Sequence, residues 1–151
     1  MENQAAALVA GAKEWASYYG DFPNGDEGAV LTAVLRVRAA WDANDADAYA
    51  DMFIDNGSQL VGDNQLTSRD EIRGYVAEAF AGAYAGSRIT EQPREIRLLN
   101  DTVAVAVTEG GVIRRGQAEL DPMNEVRTMW IIVNRDGDWR VASHQTCPIK
   151  G

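Results

Sequence analysis

The hydrophobic pattern of this chain divides near residue 85. Up to Phe80 the apolar residues recur mainly at helical spacing, with one short strand between, and from Arg88 onward they alternate as strands do. Helices followed by a run of strands point to an α+β domain whose curved antiparallel sheet, backed by helices, encloses one cavity for a small, largely apolar molecule. From Asp26, an N-cap candidate, Val30, Val34, Val37 and Trp41 mark a first helix that stops at Asn44-Asp45. Asp45 caps a short second helix with Tyr49, Met52 and Phe53, and Asn56-Gly57 turns the chain into a strand around Gln59-Leu60-Val61. Ser68-Arg69-Asp70-Glu71 has the capping-box form and opens a third helix carrying Ile72, Tyr75, Val76, Ala79 and Phe80.

Strands are expected at Glu95–Leu99 and Thr102–Val112, with a polar connection over residues 113–126 that would cover a cavity mouth, then two final strands. Asn134-Arg135-Asp136-Gly137 suits a type I turn with a glycine bulge. Pairing Asn134 with Asp138 then sets Val133 opposite Trp139, Ile131 opposite Val141, Met129 opposite Ser143 and Arg127 opposite Gln145, as the inner face. Trp130, Ile132, Arg140, Ala142 and His144 fall on the outer face. On the same logic Val103, Val105, Val107 and Glu109 point inward together.

With 151 residues, 46% of them hydrophobic, one domain with a substantial core is expected over residues 26–151, preceded by a helical extension at residues 1–25. A net charge of −9 argues against nucleic-acid binding. A single cysteine, Cys147, allows neither an intrachain disulfide nor a thiolate metal cluster, and suits a reducing cytoplasm. No apolar run reaches the length a bilayer needs, and Met1-Glu2-Asn3-Gln4 lacks the pattern of an export signal. One histidine and no phosphate-cradling glycine loop leave no cofactor or metal to expect.

Ala39-Ala40-Trp41-Asp42-Ala43-Asn44-Asp45-Ala46-Asp47-Ala48 leading to Phe53 resembles the helix–turn–helix signature of the nuclear transport factor 2-like superfamily. The segments Ser68-Arg69-Asp70-Glu71-Ile72-Arg73, Thr108-Glu109-Gly110-Gly111-Val112, Arg127-x-x-Trp130 and Arg135–Ala142 followed by Gln145 are similar to the SgcJ/EcaC group of SnoaL-like proteins. The resemblance implies a cone-shaped, curved antiparallel sheet against three helices, a homodimer, which Trp130 and Ile132 on the outer face also favour, and a role beside polyketide or enediyne antibiotic synthesis.

Steroid isomerases of that superfamily use a Tyr and an Asp where this chain has Val37 and Val61, so their mechanism is not expected here. Asp63 lies two residues beyond Val61, either at the cavity or in an ordinary turn. Glu109 and Arg127 are the catalytic candidates, as acid or base with an oxyanion partner, or else a structural ion pair. Trp41, Tyr49, Asp63, Tyr75, Met129, Ser143 and Gln145 are the candidate ligand-binding residues. Two functions compete: a cofactor-independent enzyme acting on a polyketide-type intermediate by proton transfer, cyclisation or hydration, and a non-catalytic protein that shelters a hydrophobic intermediate or assists a synthase. A protein-interaction module ranks third.

Overall fold

A computed structural model describes residues 25–61 and 63–150. The expected extension at residues 1–25 lies almost wholly outside them. Helix α1 (Gly25–Asp42) is followed by α2 (Ala46–Asp51), β1 (Phe53–Val61), β2 (Asn64–Leu66), α3 (Arg69–Ala81), β3 (Arg88–Leu98), β4 (Val103–Ile113), a 3-10 turn at Pro122–Asn124, β5 (Val126–Arg135) and β6 (Asp138–Pro148). The strands form one six-stranded sheet in the order β2-β1-β6-β5-β4-β3, and its one parallel pair is β1 with β6. The α+β architecture expected from the change of period is the one observed.

Local chemistry places the helices. Asp45 caps α2 by accepting from the Ala48 N–H at 3.0 Å, and Ser68 caps α3 by accepting from Glu71 N–H at 3.1 Å. The Glu71 carboxylate reaches back to Thr67 N–H at 3.0 Å, one residue earlier than the usual capping box. Between α1 and α2, Asn44 adopts a left-handed φ of 53°, and its side chain accepts from Gly86 N–H. Asp42 accepts from Ile89 N–H at 2.7 Å, so the end of α1 is tied directly to the start of β3. Helix α1 is apolar nearly all round, with Val30, Leu31, Val34, Leu35, Val37 and Ala40 buried. That is the pattern of a helix enclosed on more than one side.

The sheet faces differ from expectation, for two reasons. Asp136 and Gly137 both have positive φ, 58° and 85°, so the β5–β6 turn is the two-residue mirror-image type, closed by Arg135 opposite Asp138. Further along, Ile131 pairs with Ser143 but Ile132 pairs with Val141, so Ala142 is an extra residue, a β-bulge. The bulge reverses the alternation along β6: Trp139 and Val141 face the helices before it, and His144 does so after it. Trp130 and Ile132, expected outside, are fully buried against the helices, whereas Met129 is 52% and Ile131 36% exposed on the outer face. Across β4, Ala104 lies opposite Ile132 and Ala106 opposite Trp130. Small residues there leave room for large ones beneath α1, so the alanines point inward and Val105 and Val107 outward. The valine reading is thereby corrected.

Candidate functional site

Between the helices and the inner face lies a cavity of about 170 Å³, lined by Val37, Trp41, Tyr49, Gln59, Leu60, Val61, Ile89, Glu91, Gly110, Gly111, Val112, Val126, Thr128, Trp130, His144 and Thr146. Val37, Trp41, Tyr49 and Trp130 are buried and make its floor; half-buried Leu60, Val61, Val112 and Val126 form its rim. Each polar group arrives through the register. Gln59 on β1 and His144 on β6 are cross-strand neighbours, and His144 lies opposite Trp130 on β5. The Tyr49 hydroxyl of α2 donates to Gln59 Oε1 at 3.2 Å. Tyr49, Gln59 and His144 thus form a contiguous polar patch in an otherwise apolar wall.

His144 is packed edge-on against Trp130, with ring centroids 4.4 Å apart. Its Nδ1 is buried without a hydrogen-bond partner. Burial pushes the imidazole down from 6.5 to about 4, so at neutral pH the ring is uncharged and offers one N–H and one lone pair. Burial, with the nearby Glu91 charge adding to it, pushes the Tyr49 phenol well above its ordinary value, and it stays a proton donor.

The candidates read from sequence divide between two faces. Trp41 and Tyr49 line the cavity. Tyr75 is half-buried on α3 and packs against the core rather than the cavity. Asp63 is exposed between β1 and β2. Met129, Ser143 and Gln145 share the outer face, where Gln145 donates to the hydroxyls of Ser58 at 3.2 Å and Ser143 at 3.0 Å. Gln145 therefore holds β6 to β1, and it stands opposite Met129 rather than Arg127.

Glu109 and Arg127 do meet, directly across β4 and β5, but on the same outer face. One Glu109 oxygen accepts from Arg127 Nε at 2.9 Å and the other from Arg94 Nε at 2.7 Å. The two guanidiniums, Arg127 first, hold its carboxyl below the usual carboxylate range. Such a group is a fixed anion rather than an acid or base working near neutral pH. Its contribution to stability is present above the ordinary carboxylate range and lost as pH falls through the lowered value. Glu109→Gln is expected to cost under about 1 kcal/mol, as partly exposed ion pairs do, and to leave ligand binding unchanged; chemical denaturation and a binding titration check both.

The connection after β4 also differs from expectation. Of residues 113–126 only Val126 lines the cavity, and Leu120 and Asn124 pack against Gly111. Together with Thr90, Gln92 and Glu109, this connection borders a separate polar groove on the outer side. His144, Gln59 and Glu91 were not among the sequence candidates. The available signal for His144 was its company: Trp130 and Ile132 are the bulkiest apolar residues of β5, and the face they occupy is the one a small domain buries.

Comparison with known proteins bears on this geometry. The profile of the SnoaL-like domain matches residues 30–149, nearly the whole described chain. The chain belongs to the SnoaL-like domain family. Among solved structures, a domain of unknown function with a cystatin-like fold from Nostoc punctiforme superposes with a TM-score of 0.76 at 20% identity, covering 83% of this chain and 78% of that one. A ketosteroid isomerase-like protein from Erwinia carotovora atroseptica gives 0.67 at 16% identity, covering 84% and 98%. An NTF2-like protein with a cystatin-like fold from Novosphingobium aromaticivorans gives 0.66 at 16% identity, covering 100% and 91%. Among curated proteins no sequence match is found. For a SnoaL-like domain, identity this low establishes fold, and function has to be argued from the site. No described helix is long and apolar enough to cross a membrane.

Proposed function

We propose that this SnoaL-like domain holds one small, mainly apolar molecule in its cone and, without a cofactor, moves a proton on that molecule's polar group through His144. The observation that carries the reading is the uncharged imidazole of His144, unpartnered at Nδ1, in the wall of an apolar cavity beside the Tyr49–Gln59 hydrogen bond. A neutral imidazole there accepts a proton from a bound hydroxyl or carbon acid, and the protonated Tyr49 phenol keeps Gln59 in place beside it. Glu109 and Arg127 have no part in this reading, because they point away from the cavity.

Size narrows the substrate. A cavity of about 170 Å³ is close to the engineered apolar cavity of roughly 150 Å³ that holds benzene. A polyketide- or enediyne-type intermediate of secondary metabolism therefore fits by inserting one ring or one chain end past the Leu60, Val61, Val112 and Val126 rim. We assign the setting to the cytoplasm. The expected homodimer moves to the outer face, where exposed Met129 and Ile131 lie with half-buried Val107 beside the Glu109–Arg127 pair. A synthase partner would use the same face.

The non-catalytic alternative, sheltering an intermediate unchanged, draws support from the same histidine: an imidazole near 4 is a weak base. Native mass spectrometry of protein taken from its producing cells identifies the retained molecule, and incubation of that molecule in D₂O separates the readings. Proton removal from carbon by His144 and its return from solvent leave carbon-bound deuterium, which does not exchange back, in the presence of the protein and not of the His144→Phe variant. Ligand recovered unlabelled from the native protein would support sheltering instead.

The same variant has a stability signature. His144 titrates near 6.5 in the unfolded chain and near 4 when folded, so the unfolded chain takes up the proton first. Its contribution is full above about 6.5 and lost as pH falls toward about 4, at a slope of at most roughly 1.4 kcal/mol per pH unit. His144→Phe is expected to flatten that segment of the denaturation-versus-pH curve while changing stability at pH 7.5 by less than about 1.5 kcal/mol, as volume-conserving swaps do.

A further inference from the structure

The hydrogen-bonding state of the cavity wall bears on what its occupant must bring. A buried polar group that already has a partner gains nothing from a ligand, and one that lacks a partner gains most. Four of the wall's donors are committed within the protein. Trp41 Nε1 donates to Ser87 Oγ at 3.0 Å and Trp130 Nε1 to Thr108 Oγ1 at 3.0 Å. The Tyr49 hydroxyl donates to Gln59 Oε1 at 3.2 Å, and the Thr146 hydroxyl to the Leu60 carbonyl at 3.3 Å.

Having donated, the oxygens of Tyr49 and Thr146 retain only acceptor capacity, and an indole N–H that has donated offers nothing. The neutral imidazole of His144 keeps one N–H and one lone pair, and Thr128 likewise both donates and accepts. Only the Gln59 amide adds a pure donor. Acceptors therefore predominate in the wall. Among the described residues the lining contains no Arg or Lys, and Glu91 is its one carboxyl, so none of them compensates an anion.

Resting on the cavity reading above, we infer that the occupant is an uncharged alcohol or phenol on a body of about one ring, selected over the corresponding ketone and over a carboxylate. A ketone brings only an acceptor, which Gln59, Thr128 or His144 can meet, and it leaves the Tyr49 and Thr146 oxygens and the His144 lone pair without a donor. A hydroxyl brings a proton to the Tyr49–Gln59–His144 patch and still accepts from Gln59. The preference is set by hydrogen-bond polarity and not by shape.

A matched series tests it: ethylbenzene, 1-phenylethanol, acetophenone and benzoate, titrated into the full chain at pH 7.5 by calorimetry. Ethylbenzene and 1-phenylethanol are expected to bind, the alcohol about ten-fold tighter, the worth of one added buried hydrogen bond. Acetophenone is expected to bind no tighter than ethylbenzene, and benzoate not measurably. His144→Phe should remove most of the alcohol's advantage and leave ethylbenzene binding in place. Acetophenone equalling or exceeding the alcohol, or benzoate binding, overturns the inference. Ethylbenzene binding with no gain for the alcohol removes the inference and leaves the cavity reading standing; no binding by any of the four removes both.

Discussion

Gly110→Ala is expected to destabilise the fold by about 3 kcal/mol or more, the upper end of what overpacking costs. A methyl at this position overlaps the Thr90 carbonyl oxygen and comes within 2.7 Å of the Thr90 carbonyl carbon and 2.8 Å of Glu91 Cα. All three atoms are backbone, so no side chain can swing aside, and β3 would have to leave β4 where Glu91 pairs with Gly110. Gly110 borders both the inner cavity and the outer groove. The same displacement should therefore open the cavity rim and weaken ligand binding. Gly74→Ala is the control, since nothing lies within 4 Å of a methyl there and the position is inside helix α3. It should stabilise by about 0.5–1 kcal/mol. Urea denaturation of both variants gives opposite signs if the close approach of β3 is as described; a Gly110→Ala protein as stable as the parent would contradict that approach.

Trp130→Ala should cost a further large amount, about 3–5 kcal/mol, the range found when a buried aromatic is truncated. The indole is fully buried, donates to Thr108, packs edge-on to His144 and forms part of the cavity floor. Truncation removes apolar contact and leaves the Thr108 hydroxyl without its donor. It also enlarges the cavity, so bicyclic ligands such as indane should gain affinity relative to ethylbenzene although the protein is weaker. Trp130→Phe keeps most of the apolar volume and loses the N–H, so its cost should fall well below that of alanine. Thermal denaturation ranks the pair, and a competition titration reads the change in ligand size. Equal loss from Phe and Ala would place the value of this residue in its hydrogen bond, not in its packing.

Much of the architecture was readable because it depends on short-range chemistry. Asp45 and Ser68 cap helices wherever they precede an apolar-periodic run, since the bond they make spans only three residues. The final hairpin was legible for a similar reason; that Glu109 stands opposite Arg127 was not, because it depends on the pairing of β4 with β5. The two-residue mirror-image turn was not, because Asn-Arg-Asp-Gly is compatible with two turn types that differ by one residue in register.

The direction of each face was the larger loss. A strand's side chains alternate strictly, so one undetected extra residue, Ala142, moves everything beyond it to the opposite side. With the bulge unseen, Val141 and Ser143 are read as sharing a face, so that Ser143 and Gln145 go inward with Val141 and His144 goes out; the one-residue difference in the turn takes Met129 and Arg127 inward with them. Gln59 and Glu91 had no recognisable pattern, because a buried polar residue in a strand is marked only by what packs over it.

The amino-acid order by itself determined that helices precede a mainly antiparallel sheet and where the caps and the last hairpin fall, since each of these follows from spacing along the chain; the cone was implied by the likeness of Ala39–Ala48 and the segments around Glu109 and Arg127 to SnoaL-like proteins. Which polar groups enter the cone was decided in three dimensions. Alanines on β4 make room for Trp130 and Ile132 beneath α1, and the bulge at Ala142 turns His144 toward Gln59. Inside and outside become defined only when the helices choose a face, and that choice depends on volumes contributed by segments far apart in sequence.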